Sequence, residues 1–382
     1  MTLNLPDAGT FVGRVWLPEA EGPALVARQG DRLIDITSSK LPTMQALLEC
    51  EDPAAVVRDA SGTDIGGLSD IAANSTETPD PSRPYFLAPS DLQPIKACGV
   101  TFVSSMLERV IEEKAKGDPA TADKIRQRCT EILGDSLRAV VPGSDKAMTL
   151  KEALIAEDVW SQYLEVGIGP DAEVFTKSQA MSAVGFGASI GLHPISTWNN
   201  PEPEVVLAVD SQGTIKGATL GNDVNLRDVE GRSALLLGKA KDNNASCAIG
   251  PTLRLFDGSY NLDDVRHAEL TLRVSGPDGF VLNGTSSMKE ISRDPENLVG
   301  QARGAHHQYP DGFFLMLGTL FAPTQDRDAP GGGFTHKLGD IVEISNPDLG
   351  RLSNTVRLST ECPPWVFGTS ALMKNLASRD LI

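Results

Sequence analysis

The stretch EPEVVLAVDSQGTIKGATLGND, residues 202–223, constrains this chain more than any other. Two apolar runs flank a turn containing Gly213, which predicts a buried hairpin, and three carboxylates stand at its far ends. Side chains on a strand alternate between faces, so Glu202 and Glu204 share one face while Pro203 points away. If Gln212 and Gly213 form a two-residue loop, the pairing sets Asp223 opposite Glu202. Like charges brought together need a proton or a cation to compensate them. An all-oxygen cluster suits Mg²⁺ or Mn²⁺, with waters left for a substrate to displace. The same pattern also fits solvated strand ends that hold no ion, since most charged side chains are exposed.

At 382 residues the chain exceeds the usual size of one domain, which predicts a large core domain with a smaller appendage. Its 40% hydrophobic and 22% charged residues fit a soluble globular protein, and no apolar run approaches the roughly 18 residues of a membrane span. The start, MTLNLPDAGTFVGRVW, lacks a basic and then apolar secretory signal, and the five cysteines are scattered without metal-ligand spacing. A reduced, cytoplasmic setting is expected. A net charge of −17 repels polyanions, which argues against nucleic acid or an anionic membrane as partner. An anionic substrate would need a local metal or cations.

Residues 1–85 read as a small N-terminal α/β domain and linker: strand-like FVGRVWLP and PALVARQGDRLIDIT, one helix over TMQALLECEDPAAVVRDA, then SGTDIGGLSDIAANSTETPDPSRP with linker composition. Residues 86–382 read as the catalytic domain. Within it, residues 100–137 carry helical spacing broken at Gly117-Asp118-Pro119, predicting two helices. From about Glu165 onward, short strand candidates dominate, among them AELTLRVSGPDGFVLNG, GFFLMLGTLF and DIVEISNPDLGRLSNTVRL. Residues alone thus give a β-rich chain with helices.

The order E-x-E, apolar strand, glycine turn, apolar strand, N-D-x-x-x-R-D, then GKAKDNNASCAIGP and a later LGTLFAP, resembles the fumarylacetoacetate hydrolase family over roughly residues 95–360. The resemblance implies an α+β fold, a β-rich mixed β-sandwich roll, carried by a homodimer or homotetramer. It implies Mg²⁺ or a similar ion on Glu202, Glu204 and Asp223. It also carries over Arg227 from N-D-x-x-x-R-D, Lys239 from G-K, Thr319 from G-T and Lys177 from F-x-K. Family hydrolases commonly place a histidine three residues before a glutamate to activate water; here Glu108 is kept but Ser105 stands in the histidine's place. Without an imidazole there, water attack on a diketone loses its general base. Glu230 replaces a glutamine that often follows the R-D pair.

The runs DVWSQYLEVGIGPDAEVFTK, WNNPEPEVVL and AHHQYPDGF are similar to the family branch that dehydrates 2-keto-3-deoxy-pentonates. That implies conversion of 2-keto-3-deoxy-D-xylonate or D-arabinonate to 2,5-dioxopentanoate, with the metal as Lewis acid while a base takes a C3 proton. The alternative is a C–C bond hydrolase or decarboxylase acting on a β-dicarbonyl acid. In the dehydratase reading, Lys177 and Lys239 supply a base and a cation, Glu108 handles the leaving hydroxyl, and Ser105, Arg227 and Thr319 contact substrate. Lys177 also reads as a surface lysine, Glu108 as part of a solvated helix face, and Arg227 as a structural partner of Asp223 or Asp228. His306 and His307 read as a loop near the pocket or an oligomer contact, APGGGF at residues 329–334 as a loop or lid, and Cys247 as a small buried residue.

Overall fold

The computed structural model describes residues 2–102, 106, 140–156, 158, 160–321, 325–328 and 333–382. Ser105, Glu108 and the two helices expected over residues 100–137 lie outside that set, apart from Val100, Thr101, Phe102 and Met106. The fold is mixed α/β and mostly sheet, with no closed barrel among the described residues, in line with the β-rich expectation.

Two sheets form the framework. The larger runs β4 (Thr63–Gly67), β3 (Arg32–Asp35), β2 (Gly22–Gln29), β1 (Phe11–Leu17), β11 (Cys247–Leu255), β10 (Ile215–Asp223), β9 (Pro203–Val209), β14 (Phe313–Met316), β6 (Ile95–Gly99) and β7 (Glu173–Ser178), with β5 (Tyr85–Leu87) also pairing β1. The smaller runs β13 (Val281–Ser287), β12 (Glu269–Ser275), β15 (Ile341–Asn346), β16 (Gly350–Leu358) and β8 (Ser189–Leu192). The strands of residues 11–87 therefore extend the main sheet through β1 and β11, and the expected boundary after residue 85 falls within β5.

β9 lies at the centre and is apolar on both faces, as a strand covered on both sides must be. Val205, Leu207 and Val209 join a core containing Leu272, Val274, Ile344 and Val356 of the smaller sheet. Val206 and Ala208 face a second core with Ile249, Phe314 and Met316 and with Met44, Leu47 and Val57 from the N-terminal helices. Glu202 and Glu204 continue this second, even-numbered row beyond the end of the apolar run.

The hairpin differs from expectation at its turn and agrees at its far end. Val209 pairs Ile215, and Asp210 accepts from Gly213 N–H and donates its own N–H to Thr214, so the loop proper is Ser211–Gly213 and not the two-residue Gln212-Gly213. A register shift between Ile215 and Gly217 then adds one residue to β10. The two departures cancel: Gly221 pairs Glu204, and Asp223 N–H donates to Glu202 O at 3.1 Å.

Two N-terminal expectations are corrected. The single helix is two, Met44–Leu48 and Pro53–Asp59, because Asp52 caps the second and Pro53 cannot extend the first. Residues 61–84 are more than linker, since they contain β4 and the helix Leu68–Asn74. Among the described residues β4 ends the sheet and pairs only β3, so it needs few large apolar side chains.

Candidate active site

Glu202, Glu204 and Asp223 are all buried, and one carboxylate oxygen of each lies within 4.8 Å of the others. Each is fixed differently. Glu202 accepts from Asn225 Nδ2 at 2.8 Å and from Lys241 Nζ at 2.6 Å. Asp223 is contacted by Lys177 Nζ at 2.8 Å and Lys241 Nζ at 3.0 Å. Glu204 accepts the backbone N–H of Gly318 at 2.6 Å, where the chain takes φ +93. Asn200 and Asn225 exchange backbone hydrogen bonds of 3.1 and 3.0 Å, tying together the chain segments that leave the two strands.

The electrostatics follow from that layout. Burial, and then the neighbouring Asp223 and Glu202, push the Glu204 carboxyl well above the usual carboxylate range, against the Gly318 N–H. Burial raises Glu202 as well, with Lys241 opposing. For Asp223 burial is outweighed by Lys177 and Lys241, which hold the carboxyl low. Burial likewise acts on Lys241, but Asp223 and Glu202 outweigh it and keep the ammonium charged. Three buried carboxylates thus meet two lysines, and neither lysine pairs with Glu204. A compact all-oxygen donor set with excess negative charge fits a hard divalent cation.

The cluster opens onto a cavity of about 610 Å³ whose lining includes Glu173, Phe175, Arg227, Glu230, Lys241 and Thr319. Glu173 and Phe175 alternate with Lys177 along one face of β7. Burial, and then Glu230, push the Glu173 carboxyl up to about 7, with Lys241 opposing and Glu202 and Asp223 adding to the rise. Arg227 starts the short helix Arg227–Glu230, is buried, and stacks on Trp198 with its guanidinium carbon 4.5 Å from the ring centroid. The Trp198 indole N–H in turn donates to Phe334 O at 3.1 Å. Thr319 Oγ1 accepts from Phe321 N–H at 3.2 Å.

The structure brings together Glu202, Glu204, Asp223, Lys177, Arg227 and Thr319, but not Lys239. Lys239 is exposed on the helix Leu237–Lys241, whereas Lys241 at the end of that helix is buried against the carboxylates. Two residues apart on a helix means about 200° of rotation, so only one of the pair can face the cluster. Lys177 is fully buried but lies behind Asp223, not on the cavity wall; its ammonium also donates to Val224 O at 3.2 Å and Lys241 O at 2.5 Å. Those three acceptors match its three N–H donors, which suits holding Asp223 better than taking a proton from substrate. Glu173 was missed by sequence reasoning, although extending the alternation back from Lys177 through Phe175 reaches it. His306 and His307 sit in an exposed turn and do not line the cavity, and Cys247 is buried, with burial pushing its thiol up to about 12.

A family profile described as fumarylacetoacetate (FAA) hydrolase C-terminal matches residues 168–357. The chain carries a fumarylacetoacetate hydrolase family domain. This domain holds Lys177, the three carboxylates, Arg227, Lys241 and Thr319. Among curated proteins, the 2-dehydro-3-deoxy-D-arabinonate dehydratase of Saccharolobus solfataricus is 31% identical over 188 residues, which span 48% of this chain and 58% of that protein. The probable 2-keto-3-deoxyxylonate dehydratase of Haloferax volcanii is 29% identical over 263 residues, 63% of this chain and 87% of that protein. A solved 2-keto-3-deoxy-D-arabinonate dehydratase complexed with magnesium and 2,5-dioxopentanoate superposes with a TM-score of 0.62 at 20% identity, over 91% of this chain and 99% of that one. A fumarylacetoacetate hydrolase from Exiguobacterium antarcticum gives 0.56 at 14% identity over 91% and 99%. Both structural likenesses identify the fold of the family domain and of the strands that precede it.

Proposed function

We propose that this protein is a divalent-metal-dependent hydro-lyase that converts 2-keto-3-deoxy-D-xylonate or 2-keto-3-deoxy-D-arabinonate to 2,5-dioxopentanoate. The observation that carries the reading is the opening of the buried Glu202, Glu204 and Asp223 cluster onto the cavity that also presents Glu173 and Lys241. The names of the two curated relatives and the magnesium in the related complex support it. Glu202, Glu204 and Asp223 would hold Mg²⁺, which supplies Lewis acidity toward a 2-keto acid when bound.

The chain's own groups account for the rest. Lys241, already paired to Glu202 and Asp223 at the cavity wall, presents a positive charge to the carboxylate or ketone oxygen of the substrate. Arg227, held flat by Trp198, adds a second cation. Glu173, poised near neutrality, takes the C3 proton and returns it to the hydroxyl departing from C4 as water. The C3–H and C4–O bonds break and a C3=C4 bond forms. A C5 proton then moves to C3, leaving a C4=C5 enol, and transfer of the enol O–H proton to C4 gives the terminal aldehyde, so the same carboxyl acts again. Lys177 serves as the positioning residue behind Asp223. The buried free thiols of Cys98 and Cys247 fit a reducing cytoplasm, and a homodimer or homotetramer is the assembly the family resemblance implies.

Following the reaction of purified protein, Mg²⁺ and 2-keto-3-deoxy-D-xylonate by proton NMR tests the reading. A single product with the aldehyde resonance of 2,5-dioxopentanoate is expected. Unchanged sugar acid, or fragments from carbon–carbon cleavage, would reject it.

A further inference from the structure

We propose that Gly99 is a positioning residue, whose bare α-carbon sets where the Glu173 carboxyl stands in the cavity. The proposal rests on the acid–base role assigned to Glu173 above. Gly99 and Glu173 are direct partners across the antiparallel β6–β7 pair, so a side chain at 99 would share the face from which Glu173 projects. A Cβ built on Gly99 would lie 2.0 Å from Glu173 Oε2, 2.6 Å from its Cδ and 3.3 Å from its Cγ. The Glu173 side chain therefore lies across its partner, in space that any other residue at position 99 would fill. Both residues line the cavity.

Backbone freedom does not explain this glycine, because Gly99 is not among the residues of positive φ. The atoms in the way belong to the far end of one flexible side chain, so an alanine would be accommodated by moving the Glu173 carboxyl and little else. The three atoms nearest to it all belong to Glu173, and none to Glu202, Glu204 or Asp223. The charged or titratable groups that act on the Glu173 carboxyl are Glu230, Lys241, Glu202 and Asp223, and Glu173 itself acts on Cys98 from the facing strand. A displaced carboxyl changes its distance to every one of them.

Gly99→Ala, Glu173→Ala and the double variant test the assignment. Carbon-13 NMR of the glutamate carboxyls in Mg²⁺-free protein reads the packing without any need for turnover. The titration midpoint of Glu173 moves in Gly99→Ala; an unmoved midpoint overturns the proposal. In the turnover assay, Gly99→Ala lowers kcat on the order of 100-fold, as an ångström-scale misplacement does, shifts the pH profile, and leaves Mg²⁺ affinity near wild type. Wild-type kcat and pH profile in Gly99→Ala would also overturn it. Added to Glu173→Ala, the alanine at 99 costs no further activity and recovers any Tm lost in Gly99→Ala alone, because the colliding atoms are gone; failure to recover would mean that Gly99 serves the fold instead. Absence of turnover in the wild type would reject the dehydratase reading, while the NMR titration still decides whether Gly99 places the carboxyl.

Discussion

Lys239 and Lys241 share one short helix, and alanine at each separates their contributions. Lys239→Ala changes kcat/KM by less than about twofold, as expected for an exposed side chain far from other features. Lys241→Ala removes the cation joining Glu202 to Asp223 and lowers kcat/KM by about 100-fold or more. Equal effects of the two substitutions would contradict the site described. Glu173 gives the pH dependence its sign. A base must be ionised, and this carboxyl is held up near 7, so kcat/KM falls as pH drops through that region; bound Mg²⁺, a nearby positive charge, moves the limb to lower pH. Glu173→Gln should lower kcat by about 10²- to 10⁴-fold and abolish that limb, and a limb that persists in the variant assigns it to another group. The three carboxylates were legible in the sequence because strand alternation and hairpin pairing are local rules. The choice between two lysines of one helix was not, since it depends on how that helix docks, and a G-K motif carries no record of docking angle.

At the scale of elements, the hairpin shows why a register can be read correctly from an incorrect turn. Ser211–Gly213 make the loop one residue longer than a two-residue turn, and the shift before Gly217 restores the pairing where the carboxylates stand. Burial of β9 on both faces fixes which row points where, so a one-residue slip would send Glu202 and Glu204 into the core between the sheets. The segment after β14 is equally constrained. Gly318 holds Glu204 through its N–H at a left-handed backbone angle, and a Cβ there would lie 2.1 Å from Thr101 Oγ1 and 3.0 Å from Cys98 O. Gly318→Ala is therefore expected to cost about 1–2 kcal/mol from backbone strain alone, and to weaken Mg²⁺ binding in calorimetry by misaiming the N–H. Unaltered Mg²⁺ affinity would show that this hydrogen bond does not orient Glu204. Helix boundaries were less legible: Pro53 reads as a break only if the helix is not assumed to run on, and an edge strand such as β4 has too little apolar pattern to stand out from a linker.

For the whole molecule, strand order lay beyond the reach of local pattern. β14 inserts between β9 and β6, and β1 pairs β11, contacts between segments more than a hundred residues apart for which no turn or spacing gives a signal. That order brings β6, β7, β9, β10 and β14 together at one edge of the main sheet and so assembles a cavity from residues spread between Cys98 and Leu320. No helix among the described residues is long and apolar enough to cross a membrane. Since Glu202, Glu204 and Asp223 come together only in the folded chain, a bound ion is expected to stabilise it: at 100 times Kd, Mg²⁺ would add about 2.7 kcal/mol, read as a rise in Tm that EDTA reverses and Glu204→Gln lacks.

The most direct measurement of the central claim is the rate of 2,5-dioxopentanoate formation from 2-keto-3-deoxy-D-xylonate as Mg²⁺ is titrated into metal-free protein, coupled to an aldehyde dehydrogenase. Saturable, Mg²⁺-dependent turnover is expected, abolished by EDTA and not supported by Glu204→Gln. Turnover that is undiminished in EDTA or in Glu204→Gln, or no product from folded, Mg²⁺-loaded protein, would contradict that claim.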